Sequence, residues 1–205
     1  LKYLEEMNFK YLTDSDYKYY TTCIGGFTKG TTSEEMAAGY ATLKNDGVYR
    51  EPTCISKITT SDGDEVMSSS TKKRRVYSTN AANAMTDVLK SVVTGGTGVG
   101  AKVPNVDTAG KTGTTQNETD KWFCAFTPYY TSSIWIGYDD NSKVLPSSID
   151  HRTIWHDIMK QISADQPTGS FPMPDGIVEQ TVCSQSGKLA ADGLCDSDPR
   201  GSQLV

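Results

Sequence analysis

Residues 107–127 read Asp-Thr-Ala-Gly-Lys-Thr-Gly-Thr-Thr-Gln-Asn-Glu-Thr-Asp-Lys-Trp-Phe-Cys-Ala-Phe-Thr. Thr112, Thr114 and Thr115 are β-branched and favour an extended chain, because their side chains fit a pleated strand better than a helix. A polar turn over residues 116–119 follows, and residues 122–127 resume as a second strand. After the turn signal Thr127-Pro128, residues 131–138 form a third. Three consecutive antiparallel strands are therefore expected, with Lys111 on the first.

The same stretch carries a candidate site. Lys111 offers a positive charge, and the Thr112 and Thr114 hydroxyls can hydrogen-bond a carboxylate. Gly113 lets a ligand approach the backbone. These four residues are expected to form an anion-binding edge. A nucleotide-binding loop is excluded: that motif needs a glycine where Asn105 stands and a helix beginning at the lysine. From the tripeptide alone, a solvated strand remains open.

Five blocks in order extend the pattern. They are Thr32-Ser-Glu-Glu-Met-Ala-Ala-Gly-Tyr-Ala-Thr-Leu-Lys-Asn-Asp-Gly-Val-Tyr49, Gly96-Thr-Gly98, Ala109-Gly-Lys-Thr-Gly-Thr-Thr115, Asp120-Lys-Trp-Phe123 and Trp135-Ile-Gly-Tyr-Asp-Asp140. Together they resemble the C-terminal half of the transpeptidase domain of class A, bifunctional penicillin-binding proteins, over residues 1–165. Lys-Thr-Gly is one of the signatures that these proteins share with serine β-lactamases. Residues 166–205 resemble the looser tail that follows this domain in Gram-positive members.

The resemblance implies an α/β (α+β) fold of the β-lactamase/transpeptidase type, an antiparallel sheet flanked by helices and incomplete at its N-terminal side. It implies a serine D,D-transpeptidase of peptidoglycan synthesis on the extracytoplasmic face of the bacterial membrane. Stem peptides and β-lactams would be its substrates, and no cofactor is required. Lys111 and Thr114 would be catalytic; Thr112, Gly113 and Thr114 would bind substrate. A serine β-lactamase or D,D-carboxypeptidase relative shares Lys-Thr-Gly but not the blocks around Thr32 and Trp135.

The family's nucleophile motif, Ser-x-x-Lys, lies well upstream of the helix matching residues 32–45, and no nucleophile is expected in this chain. Ser15-Asp-Tyr-Lys18, Ser69-Ser-Thr-Lys72 and Ser70-Thr-Lys-Lys73 have its spacing, and Ser78-Thr-Asn80 has that of the family's second motif. None lies where a buried helical turn would desolvate an activating lysine. The isolated chain is therefore expected to be inactive, a noncatalytic binding fragment whose partner is the upstream half of the same domain. The family's membrane anchor would lie near a missing N-terminus.

Composition agrees with a piece of an exported protein. The chain has 205 residues, and 36% hydrophobic content is low for one that must close its own core. No signal segment or long apolar run is present. A net charge of −5, with basic residues dispersed apart from Lys72 to Arg75, argues against nucleic acid. That basic run reads as a solvated loop. Cys23, Cys54, Cys124, Cys183 and Cys195 show no Cys-x-x-Cys spacing, and no metal is assigned. Whether Cys183 and Cys195 are bridged stays open; Cys124 reads as a small core residue.

Further elements follow from local signals. Thr32-Ser-Glu-Glu35 is a capping box, and the helix it opens stops at Asn45-Asp-Gly47. Residues 52–67 alternate around Ser61-Asp-Gly63 as a hairpin. Ser78 caps a helix with Ala82, Met85, Val88, Leu89 and Val92 at helical spacing, ending at Gly95-Gly96. The glycine run over residues 95–100 is a helix stop that could line the cleft beside Lys111. Residues 149–162 form a last helix, with Ile154, Trp155, Ile158, Met159 and Ile162 facing the sheet. Residues 166–174 read as a linker, and the remainder as extended or partly disordered.

Overall fold

The computed structural model describes residues 1–140, 143, 146–173, 180–183 and 186–190. In chain order the first half holds α1 (Lys2–Glu6), a 3-10 turn (Tyr20–Ile24), α2 (Ser33–Lys44), β1 (Val48–Arg50), β2 (Lys57–Thr59), β3 (Glu65–Ser68) and β4 (Lys73–Arg75). The second half holds α3 (Thr79–Gly95), β5 (Ala109–Thr114), β6 (Asp120–Phe126), β7 (Thr131–Gly137) and α4 (His151–Ile162). The expected α+β arrangement, an antiparallel sheet flanked by helices, is what the chain adopts.

The central sheet runs β5-β6-β7, antiparallel throughout. At the β5–β6 turn the Thr115 hydroxyl accepts from the N–H groups of Thr119 and Asp120, at 3.2 and 3.0 Å. Glu118 takes a positive φ of 53° there. Side chains alternate across a strand, so the sheet has two apolar faces. On one, Phe123 and Ala125 meet Trp155 and Met159 of α4. The Phe123 and Trp155 rings stand edge to face, centroids 5.3 Å apart. On the other, Ala109 and Phe126 meet Leu89 of α3, with Tyr40 and Leu43 of α2 packed against them.

Helix ends follow the expected chemistry. Thr32 accepts from the Glu35 N–H at 3.1 Å, and Glu35 Oε2 accepts from the Thr32 N–H at 3.1 Å, a reciprocal capping box. Glu35 Oε1 also accepts from the Lys10 N–H at 2.7 Å, so one buried carboxylate ties the N-terminal segment to α2. Ser78 caps α3 by accepting from the Ala81 N–H. Gly63 turns the β2–β3 hairpin with φ of 90°.

Helix faces depart from expectation. In α3 the buried positions are Ala82, Asn83, Thr86, Leu89 and Val93, while Met85 and Val88 are exposed. In α4 the buried stripe is His151, Trp155 and Met159, while Ile154, Ile158 and Ile162 remain about half exposed. In α4 both stripes recur at four-residue spacing, and the sheet covers only one of them fully.

Two further corrections concern chain segments. Lys73 to Arg75, expected as part of a solvated loop, pair with β1, and the two arginine guanidinium groups brace backbone carbonyls: Arg74 reaches Glu6 O at 3.0 Å and Arg75 reaches Asp46 O at 2.9 Å. The segment expected as a linker packs on the sheet. Gly169 bridges Val106 in parallel and its carbonyl accepts from the Asp107 N–H at 2.8 Å; Phe171 stacks edge-on against Phe126 at 5.2 Å. The compact unit therefore extends to Pro174, and a second unit covers Asp175–Val205. In the latter, Val182 and Leu189 form an antiparallel bridge. Cys195 lies outside the described residues, and with it the question of its pairing to Cys183.

Candidate active site

Strand β5 pairs with β6 on one side and forms an edge of its sheet. An edge strand presents unpaired backbone N–H and C=O groups along its outer side. The register sorts its side chains. Lys111 and Gly113 stand opposite Cys124 and Trp122, on the face that α2 and α3 cover. Thr112 and Thr114 stand opposite Phe123 and Lys121, on the face of α4. The four expected residues thus do not share one face. What they share is the outer edge.

Contacts refine this picture. The exposed Lys111 ammonium donates to the Thr112 carbonyl at 3.0 Å, which draws it along the strand edge. The Thr112 hydroxyl lies 2.7 Å from that of Thr97. Thr97 belongs to the glycine loop after α3, where Gly96 and Gly98 both donate backbone N–H groups to the Val92 carbonyl, at 3.1 and 2.9 Å. The loop expected to line the cleft therefore touches β5, at Thr112. Thr97 was not singled out from the sequence; its signal was the Gly96-Thr-Gly98 block.

Neighbouring polar groups are committed elsewhere. Lys121, buried beside Thr114, donates to the carbonyls of Pro146 and Ile149 at 3.0 and 3.3 Å. Burial pushes the Cys124 thiol up to about 11, opposed by its hydrogen bond with Ser133 at 3.2 Å. A thiol so raised stays protonated and is a poor nucleophile.

The serines with nucleophile spacing do not meet this site's needs. Ser15 and Lys18 lie in a turn, where the Lys18 N–H donates to the Ser15 carbonyl. Residues 69–72 are irregular chain between β3 and β4, and Lys72 is exposed. Ser78 is the cap of α3. Among the described residues no cluster of three His, Cys, Asp or Glu side chains could hold a metal ion, and no helix is long and apolar enough to cross a membrane.

An edge strand with a cation, two hydroxyls and free backbone groups suits an extended ligand that ends in a carboxylate. Residues 5–160 match the family described as the penicillin binding protein transpeptidase domain. The chain belongs to this family. Residues 173–204 match the C-terminal domain of penicillin-binding protein 1A. Penicillin-binding protein 1A of Clostridium botulinum is 36% identical over 184 residues, 88% of this chain and 22% of that protein. The chain thus spans about a fifth of the length of such a relative. The structure of penicillin-binding protein 1A from Haemophilus influenzae shares the transpeptidase fold with a TM-score of 0.76 and 22% identity, over 100% of this chain and 35% of that one. PonA1 from Mycobacterium tuberculosis, in complex with penicillin V, aligns with a TM-score of 0.62 and 24% identity, over 72% of this chain and 42% of that one.

Proposed function

We propose that this chain is the carboxylate-binding wall of a D,D-transpeptidase that cross-links peptidoglycan stem peptides on the extracytoplasmic side of a bacterial membrane. The observation that carries it is the position of Lys111-Thr112-Gly113-Thr114 on a free edge strand of a transpeptidase-family domain. In this reading a serine attacks the penultimate D-alanine carbonyl, D-alanine leaves, and a neighbouring stem's amine displaces the serine to close the cross-link. The Thr112 and Thr114 hydroxyls hold the terminal carboxylate, and Lys111 supplies positive charge and takes part in proton transfer. The Thr114 N–H is one of two oxyanion donors; losing one such donor costs about two to three orders of magnitude in rate. β-Lactams enter as substrate mimics; the PonA1 structure is a complex with penicillin V.

The attacking serine is not assigned to these residues. Ser15, Ser69, Ser70 and Ser78 lie in a turn, irregular chain or a helix cap, where no lysine is desolvated beside them. By itself the chain is accordingly a binding module, completed by the upstream half of the same domain. Fluorescent penicillin tests both statements. The 205-residue chain should take no covalent label, whereas the full-length protein should be labelled and should lose acylation on Lys111→Ala. A stoichiometric adduct on Ser15, Ser69, Ser70 or Ser78 would overturn the first, and an unchanged Lys111→Ala the second.

A further inference from the structure

Arg152 sits in the first turn of α4, 55 residues from Thr97 in the chain. Its guanidinium grips Asp150 through two parallel bonds, Nε to Oδ1 at 2.8 Å and Nη2 to Oδ2 at 3.0 Å. The Asp150 carboxylate is itself fixed, accepting from the Arg152 backbone N–H at 3.0 Å and from the Thr153 hydroxyl at 3.1 Å. A guanidinium is planar, so anchoring Nε and Nη2 determines where Nη1 points. Nη1 donates to the Thr97 carbonyl at 3.2 Å. The hydroxyl of the same threonine lies 2.7 Å from that of Thr112.

These bonds form one continuous chain: Asp150, Arg152, the Thr97 carbonyl, the Thr97 hydroxyl, the Thr112 hydroxyl. Glycines flank Thr97 on both sides, and the loop's N–H groups at Gly96 and Gly98 converge on Val92. Among the described residues no backbone N–H donates to the Thr97 carbonyl. The peptide linking Thr97 to Gly98 is held at both ends: its N–H donates to the Val92 carbonyl and its own carbonyl accepts from Arg152.

We infer that Asp150 and Arg152 are positioning residues: a strut from α4 that fixes Thr97, and through it orients the Thr112 hydroxyl towards the carboxylate of an extended acyl ligand. The inference rests on the proposed reading of the β5 edge and adds to it a specificity device. With its hydroxyl paired to Thr97, Thr112 is held in one rotamer before a ligand arrives. Preorganisation of this kind acts only on ligands that use the hydroxyl. Arg152 reaches the site through Thr97 and needs no contact with ligand.

The test uses the full-length protein, a fluorescent penicillin with a free carboxylate, and the same compound as its methyl ester. Acylation kinetics are resolved into binding and chemical steps, with thermal midpoints measured in parallel. Wild type should prefer the acid. Arg152→Ala, Arg152→Lys and Thr97→Val should each weaken binding of the acid by about tenfold, one hydrogen bond's worth, and alter the ester by less than about threefold. Thr97→Ser should restore the acid. Full activity in Arg152→Lys would overturn the inference, since charge without the planar fork would suffice. An equal loss for acid and ester would overturn it too, as a merely structural effect. Thr97→Val leaves the Arg152 to Asp150 pair intact and decides the matter if Arg152→Ala fails to fold. If wild type itself does not prefer the acid, the carboxylate role of Thr112 fails first; if it does and the variants behave like it, only the strut fails.

Discussion

The Trp135 indole N–H donates to Asp120 Oδ1 at 2.8 Å, tying the start of β6 to β7. The second carboxylate oxygen accepts from the Thr119 hydroxyl at 3.0 Å, so Asp120 fastens the β5–β6 turn to the far strand of the sheet. Two of the sequence blocks that carried the family resemblance, Asp120-Lys-Trp-Phe123 and Trp135-Ile-Gly-Tyr-Asp-Asp140, meet at this bond. Trp135→Phe keeps an aromatic side chain, though a smaller one, and removes the donor. We expect it to lower stability by about 1 kcal/mol, towards the low end for a charge-assisted bond because both partners are only half-buried. Urea unfolding measures this, and a wild-type midpoint would show the bond to be incidental.

His151 gives the fold a dependence on pH. It is buried at the start of α4 and, among the described residues, neither ring nitrogen has a hydrogen-bond partner. Burial lowers its pKa; Asp150 opposes this, whereas Arg152 and Lys121 add to it. The unfolded state therefore binds a proton more readily than the folded one. Stability is full above the ordinary imidazole value of about 6.5 and declines as pH falls through it. His151→Phe should flatten the unfolding free energy between about pH 7 and pH 5. An unchanged slope would mean that His151 is not the group responsible.

The sheet was legible in the sequence because its signals are local: β-branched runs, a polar turn and alternation of period two. Helix ends were legible for the same reason, as Thr32, Glu35 and Ser78 bond within three residues. Helix faces were not. Ile154, Ile158 and Ile162 form as good a stripe as His151, Trp155 and Met159, and only the packed sheet shows which is buried. Residues 166–174 carry a linker's composition, yet Gly169 bonds Asn105 and Asp107, partners more than sixty positions away. In the candidate site, Lys111 to Thr114 were visible as a motif. Their split across two faces follows from the strand register, and the link from Arg152 to Thr97 joins residues that no local pattern relates.

Cysteine reactivity should follow burial. Cys23 and Cys54 are exposed, whereas Cys124 is only 2% exposed, with its thiol pushed up to about 11. At neutral pH, iodoacetamide should modify Cys23 and Cys54 within minutes and spare Cys124 until the protein unfolds. Peptide mass spectrometry reads the order directly. Labelling of Cys124 as fast as Cys23 would contradict its burial in β6.

Two glycines of β5 should respond to the same added methyl to very different degrees. A Cβ on Gly110 would stand 2.3 Å from the Ala125 Cβ and 2.8 Å from the Cys124 carbonyl oxygen, closer than such atoms ever approach. Ala125 is fully buried, so the strands must separate instead. Gly110→Ala should cost about 1–3 kcal/mol or more and weaken hydrogen-exchange protection along β5 and β6. At Gly113 the nearest atom is the Trp122 Cβ at 3.3 Å, on a half-buried neighbour that can give slightly. Gly113→Ala also restricts the unfolded chain, which offsets part of the crowding, so its stability should lie within about 1 kcal/mol of wild type. Equal unfolding midpoints for the two variants would mean that strand separation at Gly110 is not limited by Ala125.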